Sequence, residues 1–388
     1  MITRSRQVAL ALTALLTVGA ACQARDHEPP KPKPKPPAPA PSAADDGAFT
    51  LVASGDVLPH DSIIDRARFD AGGKGYDFRP MLAGARPVVS GADLALCHME
   101  TVYGANGDYS GYPLFKSPPE VAKALAATGY DGCSTASNHS VDDGADGIRR
   151  TLDALDRAGV RHAGTARSEA EARTTTVLRA GRAEVAHLAY ALHTNGHPLP
   201  DGQPWAVDMI DEEQIVADSR AAREAGADVV VVSLHWGTEW QDEPDQDQLT
   251  LAHSLTAARA GDRPAIDLIL GTHAHVPQAY EKVNGTWVVY GMGDQIAGEM
   301  INGDGERDPR GNQSSIGRFT FAPPDRPGER WRVTKAEFVP QLFDVDAGRV
   351  VNLNRALDKG AEVKAVRDRI RDVVLSRGAA EDGLVMGE

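Results

Sequence analysis

Two histidines one residue apart, His273 and His275, follow the apolar run "AIDLIL" in the stretch "GTHAH". Alone, the pair is either a set of metal ligands or two polar loop residues; in extended backbone both imidazoles would leave the same face. Four other apolar runs finish in a comparable way. "FTLVASGD" ends at Asp56, "ADLALCHME" at Glu100, "YDGCSTASNH" at Asn138 and His139, and "ADVVVVSLHWG" carries His235 near its end. Singly, each has a plain structural reading: Gly-Asp makes turns, "SNH" can precede a helix, and a histidine beside a tryptophan packs in a core. Together they would need five separate coincidences, so the joint reading is a ligand set. Carboxylate, amide and imidazole donors without a thiolate suit Mn, Fe, Zn or Mg. Seven such donors exceed what one tetrahedral zinc needs and match a two-metal centre. His139, next to the ligand Asn138, is placed to protonate a leaving group if it turns toward substrate.

Elements of two kinds must position these residues. The β-branched, apolar runs "FTLVASGD", "ADLALCHME", "AEVAHLAYA", "ADVVVVSLHWG", "AIDLILGTHAH" and "TWVVYGMGD" read as buried strands. Between several of them lie the helical patterns "PPEVAKALAAT", "GADGIRRTLDALDRAG", "DEEQIVADSRAAREAG" and "DQLTLAHSLTAARAG". In the second helix Ile148, Leu152 and Leu155 share a face, Asp142 or Asp143 is placed to cap the start, and Gly159 caps the end. Strands alternating with helices give a largely parallel sheet, whose carboxyl edge collects ligand sites. "SSIGRFTFA" and "WRVTKAEFVPQLFD" follow without intervening helices and add antiparallel strands.

The 388 residues carry a formal charge of −14, which argues against a nucleic-acid partner and disfavours a polyanionic one. Residues 1–21 read as a signal peptide: two arginines, a short apolar core, then "GAAC". Small residues before Cys22 resemble a lipobox, which makes Cys22 a lipid-anchor site and the protein an exported, membrane-anchored one. Residues 22–48 hold "EPPKPKPKPPAPAPS", a disordered, polyproline-rich stalk. The folded domain is expected over 49–345, followed over 346–388 by a helical extension and a disordered tail. Cys97 and Cys133 sit in strand-like runs and are expected as buried thiols on neighbouring strands, although export permits a disulfide.

The blocks "GDVL", "ADLALCHMET", "SNHSVDDGADGIRRTLDALDRAGVRHAGT", "VVVSLHWGTEW", "DLILGTHAHVPQAYEKVNG" and "VVYGMGD" resemble the bacterial capsule synthesis proteins of the CapA (poly-γ-glutamate) type, related to calcineurin-like metallophosphoesterases. The resemblance runs from about Thr50 to Gly298. It implies an α/β fold, the four-layer α/β/β/α metallophosphatase-like sandwich. It implies Asp56 as the first-strand metal aspartate, Glu100 in the bridging position, Asn138 as ligand with His139 as proton donor, and His235, His273 and His275 as the remaining ligands. Three departures stand out. The family's Asp-x-His is absent; Asp56 precedes "VLPH", and His60 either substitutes or leaves that metal position weak. The family's Asn-Leu-Glu becomes His98-Met99-Glu100. The late Gly-Asn-Phe becomes Gly293-Asp294-Gln295, where Asp294 offsets metal charge, acts as a base, or is a solvated turn residue. The activity implied is that of a divalent-metal hydrolase, two-metal in the family's manner, acting on a phosphoester or on an amide of the acidic polymer poly-γ-glutamate alongside other capsule-assembly proteins. The alternatives are a non-catalytic polymer-binding or scaffold component of the envelope and a periplasmic metallophosphoesterase unrelated to capsule.

Overall fold

The computed structural model describes residues 47–326 and 328–388. The expected leader, Cys22 and most of the proline-rich stretch lie outside the described residues. In chain order the first strands are β1 (Phe49–Leu58), β2 (Leu94–Met99), β3 (Gly132–Ser134) and β4 (Arg161–Ala163), all parallel. A second sheet follows: β5 (Thr176–Ala180), β6 (Ala183–Ala191), β7 (Val229–His235), β8 (Leu268–Thr272), β9 (Tyr280–Val283) and β10 (Thr286–Val289). Its order is β9-β10-β8-β7-β6-β5, with the four central strands parallel. The chain then returns to the first sheet through β11 (Asp294–Ala297), β12 (Gln313–Ala322), β13 (Arg332–Asp344), β14 (Arg349–Asn352) and β15 (Leu384–Met386). As the helix-free sequence implies, β12 and β13 are antiparallel additions beside β1.

Period-two alternation assigns each strand residue to a layer. On β7, Val229 and Val231 meet Leu51, Leu94, Leu96, Leu268 and Leu270 between the sheets. Val230, Val232 and Leu234 turn the other way, onto Ile215 and Ala222 of α4 (Glu212–Glu224) and Ala252 and Leu255 of α5 (Gln246–Ala257). The outer face of the first sheet, with Val52, Ala95 and Cys97, is covered by α1 (Asp61–Asp70), α2 (Glu120–Thr128) and α3 (Gly144–Ala158) through Ile63, Val121, Leu125, Ile148 and Leu152. The result is the four-layer α/β/β/α sandwich. Each valine or leucine so buried contributes about 1.5–3 kcal/mol. Among the described residues no helix is long and apolar enough to cross a membrane.

Three expectations are corrected. Cys97 and Cys133 are not free thiols: directly registered on parallel neighbours, with Cα atoms 4.4 Å apart, they form a disulfide. The C-terminal residues are not a disordered tail. After α6 (Lys364–Val374), the chain adds β15 to β13, and Leu353, Ile370, Val374 and Leu384 are buried in the apolar cluster between the sheets. Finally, neither Asp142 nor Asp143 caps α3 with its side chain; Asp143 occupies the cap position but pairs with Arg150. The C-cap at Gly159, in left-handed backbone, is as expected.

Candidate metal centre

The apolar layer between the sheets turns polar at the carboxyl ends of its strands. On β2 the face of Leu94 and Leu96 continues to His98 and, one residue past the strand, Glu100. On β7 the face of Val229 and Val231 continues to Ser233 and His235, and β8 leads from Leu268 and Leu270 through Thr272 to His273. Asp56 lies inside β1, not in a turn. Gly55 before it has no room for a side chain, because a Cβ there would meet the Gly293 carbonyl oxygen at 1.8 Å. That close approach lets β11 pair with β1 so that Asp56 stands opposite Asp294.

His273 and His275 are not extended: both have positive φ, 93° and 60°. Left-handed backbone at non-glycine residues costs on the order of 1–3 kcal/mol and concentrates at functional sites. Here it follows the end of β8 and turns both imidazoles into the cluster, with ring centroids 6.2 Å apart. The His273 amide donates to Asp56 Oδ2 (3.1 Å), which fixes the turn to the first sheet. His235 links the sheets, with Nε2 2.9 Å from Asn138 Oδ1 and Nδ1 3.0 Å from Thr272 Oγ1. The Asn138 amide donates to Asn195 Oδ1 (3.2 Å), so its carbonyl oxygen faces the site.

Six of the predicted residues therefore converge: Asp56, Glu100, Asn138, His235, His273 and His275. Two donor groups could each hold a metal ion, Asp56 with His98 and His235, and Asp56 with His275 and Asp294; within each, the donor atoms lie within 4.8 Å of one another. Asp56 is common to both. Glu100 lies alongside, its Oε1 3.8 Å from His235 Nε2. Asp294 is fully buried and holds His275 Nδ1 at 3.0 Å, so it is no solvated turn residue. His60 stands apart from both groups. Its Nδ1 lies 3.0 Å from the Leu58 carbonyl, its ring packs edge-on to Phe115, and burial lowers its pKa to about 4.

The donor chemistry fits cations. Asp56 Oδ1, both Glu100 oxygens, Asp294 Oδ2, His98 Nε2 and His273 Nδ1 are buried without a hydrogen-bond partner. Burial raises the carboxyls of Asp56, Glu100 and Asp294, and mutual repulsion raises the first two further. Burial likewise lowers the imidazoles of His235, His273 and His98, the last to about 3. For His275 burial is the largest single influence and acts in the same sense, but the charge and hydrogen bond of Asp294, joined by the Glu100 and Glu239 carboxylates, make the net shift upward. Orphaned acceptors and crowded carboxylates are each costly in a low dielectric. A divalent cation would satisfy both at once.

Sequence reasoning missed two residues of the site. His98 was visible through alternation, since it shares a face with Glu100. Asp142, read as a helix cap, instead holds His139 Nδ1 at 2.7 Å and also accepts from the Phe115 amide (2.7 Å). That arrangement sends the other side of the His139 ring toward a cavity of about 410 Å³, lined also by His60, His275, Tyr112, Phe115, Glu239 and Trp240. No lysine or arginine lines it among the described residues.

A four-layer sandwich with imidazoles and carboxylates gathered at its strand ends is the framework of a candidate metal centre. The model of one family, described as bacterial capsule synthesis protein PGA_cap, matches residues 50–299, and the chain belongs to that family. It is 27% identical over 225 residues to a probable polyglutamine synthesis accessory protein of Mycobacterium tuberculosis, covering 53% of this chain and 55% of that one. It is also 27% identical over 180 residues to the capsule biosynthesis protein CapA of Bacillus anthracis, covering 46% and 42%. The chain thus spans about half the length of the curated relatives it matches. Among solved structures, a calcineurin-like phosphoesterase from Bacillus subtilis aligns over 83% of this chain and 97% of its own, at 14% identity and a TM-score of 0.44.

Proposed function

We propose that this chain is a two-metal hydrolase of the envelope, exported and lipid-anchored through Cys22, which cleaves an amide of an acidic γ-glutamyl polymer or a phosphoester in capsule assembly. The observation that carries the reading is the His139–Asp142 pair set at the cavity beside a cluster of orphaned, buried ligand atoms. Asp56, Glu100, Asn138, His235, His273, His275 and Asp294 would hold the ions. When bound, divalent ions supply Lewis-acid polarisation and a strong oxygen nucleophile at neutral pH. The protein's own part is the proton. Asp142 takes the Nδ1 hydrogen bond of His139 and fixes the ring, so the opposite ring nitrogen is aimed to deliver a proton to the leaving oxygen or nitrogen. Asn138 and Asn195 keep the adjacent backbone fixed, and Ser137 ties the loop down by donating to the Glu100 carbonyl (2.6 Å) and accepting from the His139 amide (3.0 Å).

The test is elemental analysis combined with turnover on phosphodiester and γ-glutamyl amide substrates. His139→Ala should keep its metal and lose about 10²–10⁴-fold in rate, whereas His275→Ala should lose both. A fully metal-loaded wild type that turns over nothing on that panel would replace this reading with the non-catalytic scaffold.

A further inference from the structure

His98 is tightly held within the cluster. It is 2% exposed, and it stacks on His235 with ring centroids 4.7 Å apart. Its Nδ1 lies 2.7 Å from Ser134 Oγ on the neighbouring strand β3. The Ser134 hydroxyl in turn donates to the Cys97 carbonyl (3.4 Å). A hydroxyl has one proton, so with that proton committed Ser134 accepts from His98 Nδ1–H, and the neutral ring then carries a bare lone pair on Nε2. This lone pair faces Asp56 Oδ1 at 3.8 Å, and both atoms are buried without a partner. Two acceptors facing each other at that distance cannot share a hydrogen bond. They can share a cation, since imidazole and carboxylate bonds to a metal are each about 2.0–2.2 Å long.

We infer that His98 is a further metal ligand, sharing an ion with Asp56 and His235, and that Ser134 is its positioning residue, fixing the tautomer that presents Nε2. Outer partners of ligating histidines work this way, orienting the ring and raising its basicity, and their loss costs about 10–100-fold in metal affinity. The geometry of the strand pair supports the assignment. The disulfide joins Cys97 to Cys133, one residue before His98 and one before Ser134, so the register that brings ring and hydroxyl together is covalently held.

The inference rests on the metal-centre reading above, and one experiment separates their failures. Full-length protein is stripped with chelator and titrated with Co²⁺, following affinity by competition with a chromophoric chelator and ligand type by visible absorption. Apo-state circular dichroism controls for folding. Wild type should bind Co²⁺ with nitrogen ligands. His98→Ala should lose more affinity at one site than the roughly 10–100-fold expected for Ser134→Ala, with an altered spectrum, and Ser134→Thr, which keeps the hydroxyl, should restore wild-type behaviour. Wild-type affinity and spectrum in His98→Ala would overturn the assignment while leaving the metal centre standing. Failure of wild type to bind Co²⁺ would remove the metal centre itself. Should His98→Ala not fold, the Ser134 pair decides: equal affinities in Ser134→Ala and Ser134→Thr refute the positioning role and, with it, the presented Nε2.

Discussion

At the scale of single residues, position in the strand pleat separates the proposed metal-holding side chains from the proposed proton-handling ones. Asp56, His98 and His235 extend the apolar stripes of the inter-sheet layer, whereas His139 leaves a loop after β3 and turns to the cavity. Asp142 is the residue on which that turn depends, because one oxygen holds both the His139 ring and the Phe115 amide. Asp142→Asn keeps the size but replaces the carboxylate that holds the His139 ring at 2.7 Å. Its expected effect is to forfeit part of the about 10²–10⁴-fold that a positioned acid supplies. Metal content should remain that of wild type. A variant with wild-type kcat at all pH values would show that Asp142 serves only the loop.

At the scale of elements, the strands and four helices that carry the site were legible because their apolar residues repeat with periods of two and 3.6. The candidate ligand residues were legible for a related reason, being polar interruptions at the ends of otherwise apolar runs. What periodicity could not show depends on pairing between distant segments. Nothing local in "LVM" announces β15, whose partner β13 lies some forty residues earlier. The left-handed backbone of His273 and His275 answers a contact with Asp56 across more than two hundred positions. The Cys97–Cys133 disulfide likewise needed the β2–β3 register, which residue types alone do not give. That bond closes a 36-residue separation, for which restricting the unfolded chain is worth about 3–4 kcal/mol. A Cys97→Ala/Cys133→Ala double variant should therefore unfold at lower denaturant concentration than wild type, by an amount that matches wild type measured in reductant. Equal midpoints for oxidised and reduced wild type would show that the bridge adds no stability.

At the scale of the whole molecule, the question is how an acidic protein would engage an acidic chain. The formal charge is −14, the cavity wall includes Glu239, and no lysine or arginine lines that cavity among the described residues. Approach of a polyanion is then opposed at long range, and only ions at the metal centre would reverse the field locally. Screening weakens the repulsion as the Debye length falls from about 30 Å at 0.01 M salt to about 8 Å at 0.15 M, while contacts at the centre, being buried, are screened less. Opposite salt responses should therefore distinguish two substrates of the proposed hydrolase. For poly-γ-glutamate, kcat/KM should rise as NaCl is raised over that range at fixed divalent metal. For a short, uncharged γ-glutamyl amide analogue it should stay nearly flat. A fall with salt for the polymer would instead mean that a cationic surface outside the cavity captures it, and the charge argument would then point to the arginines of the outer surface as the binding face.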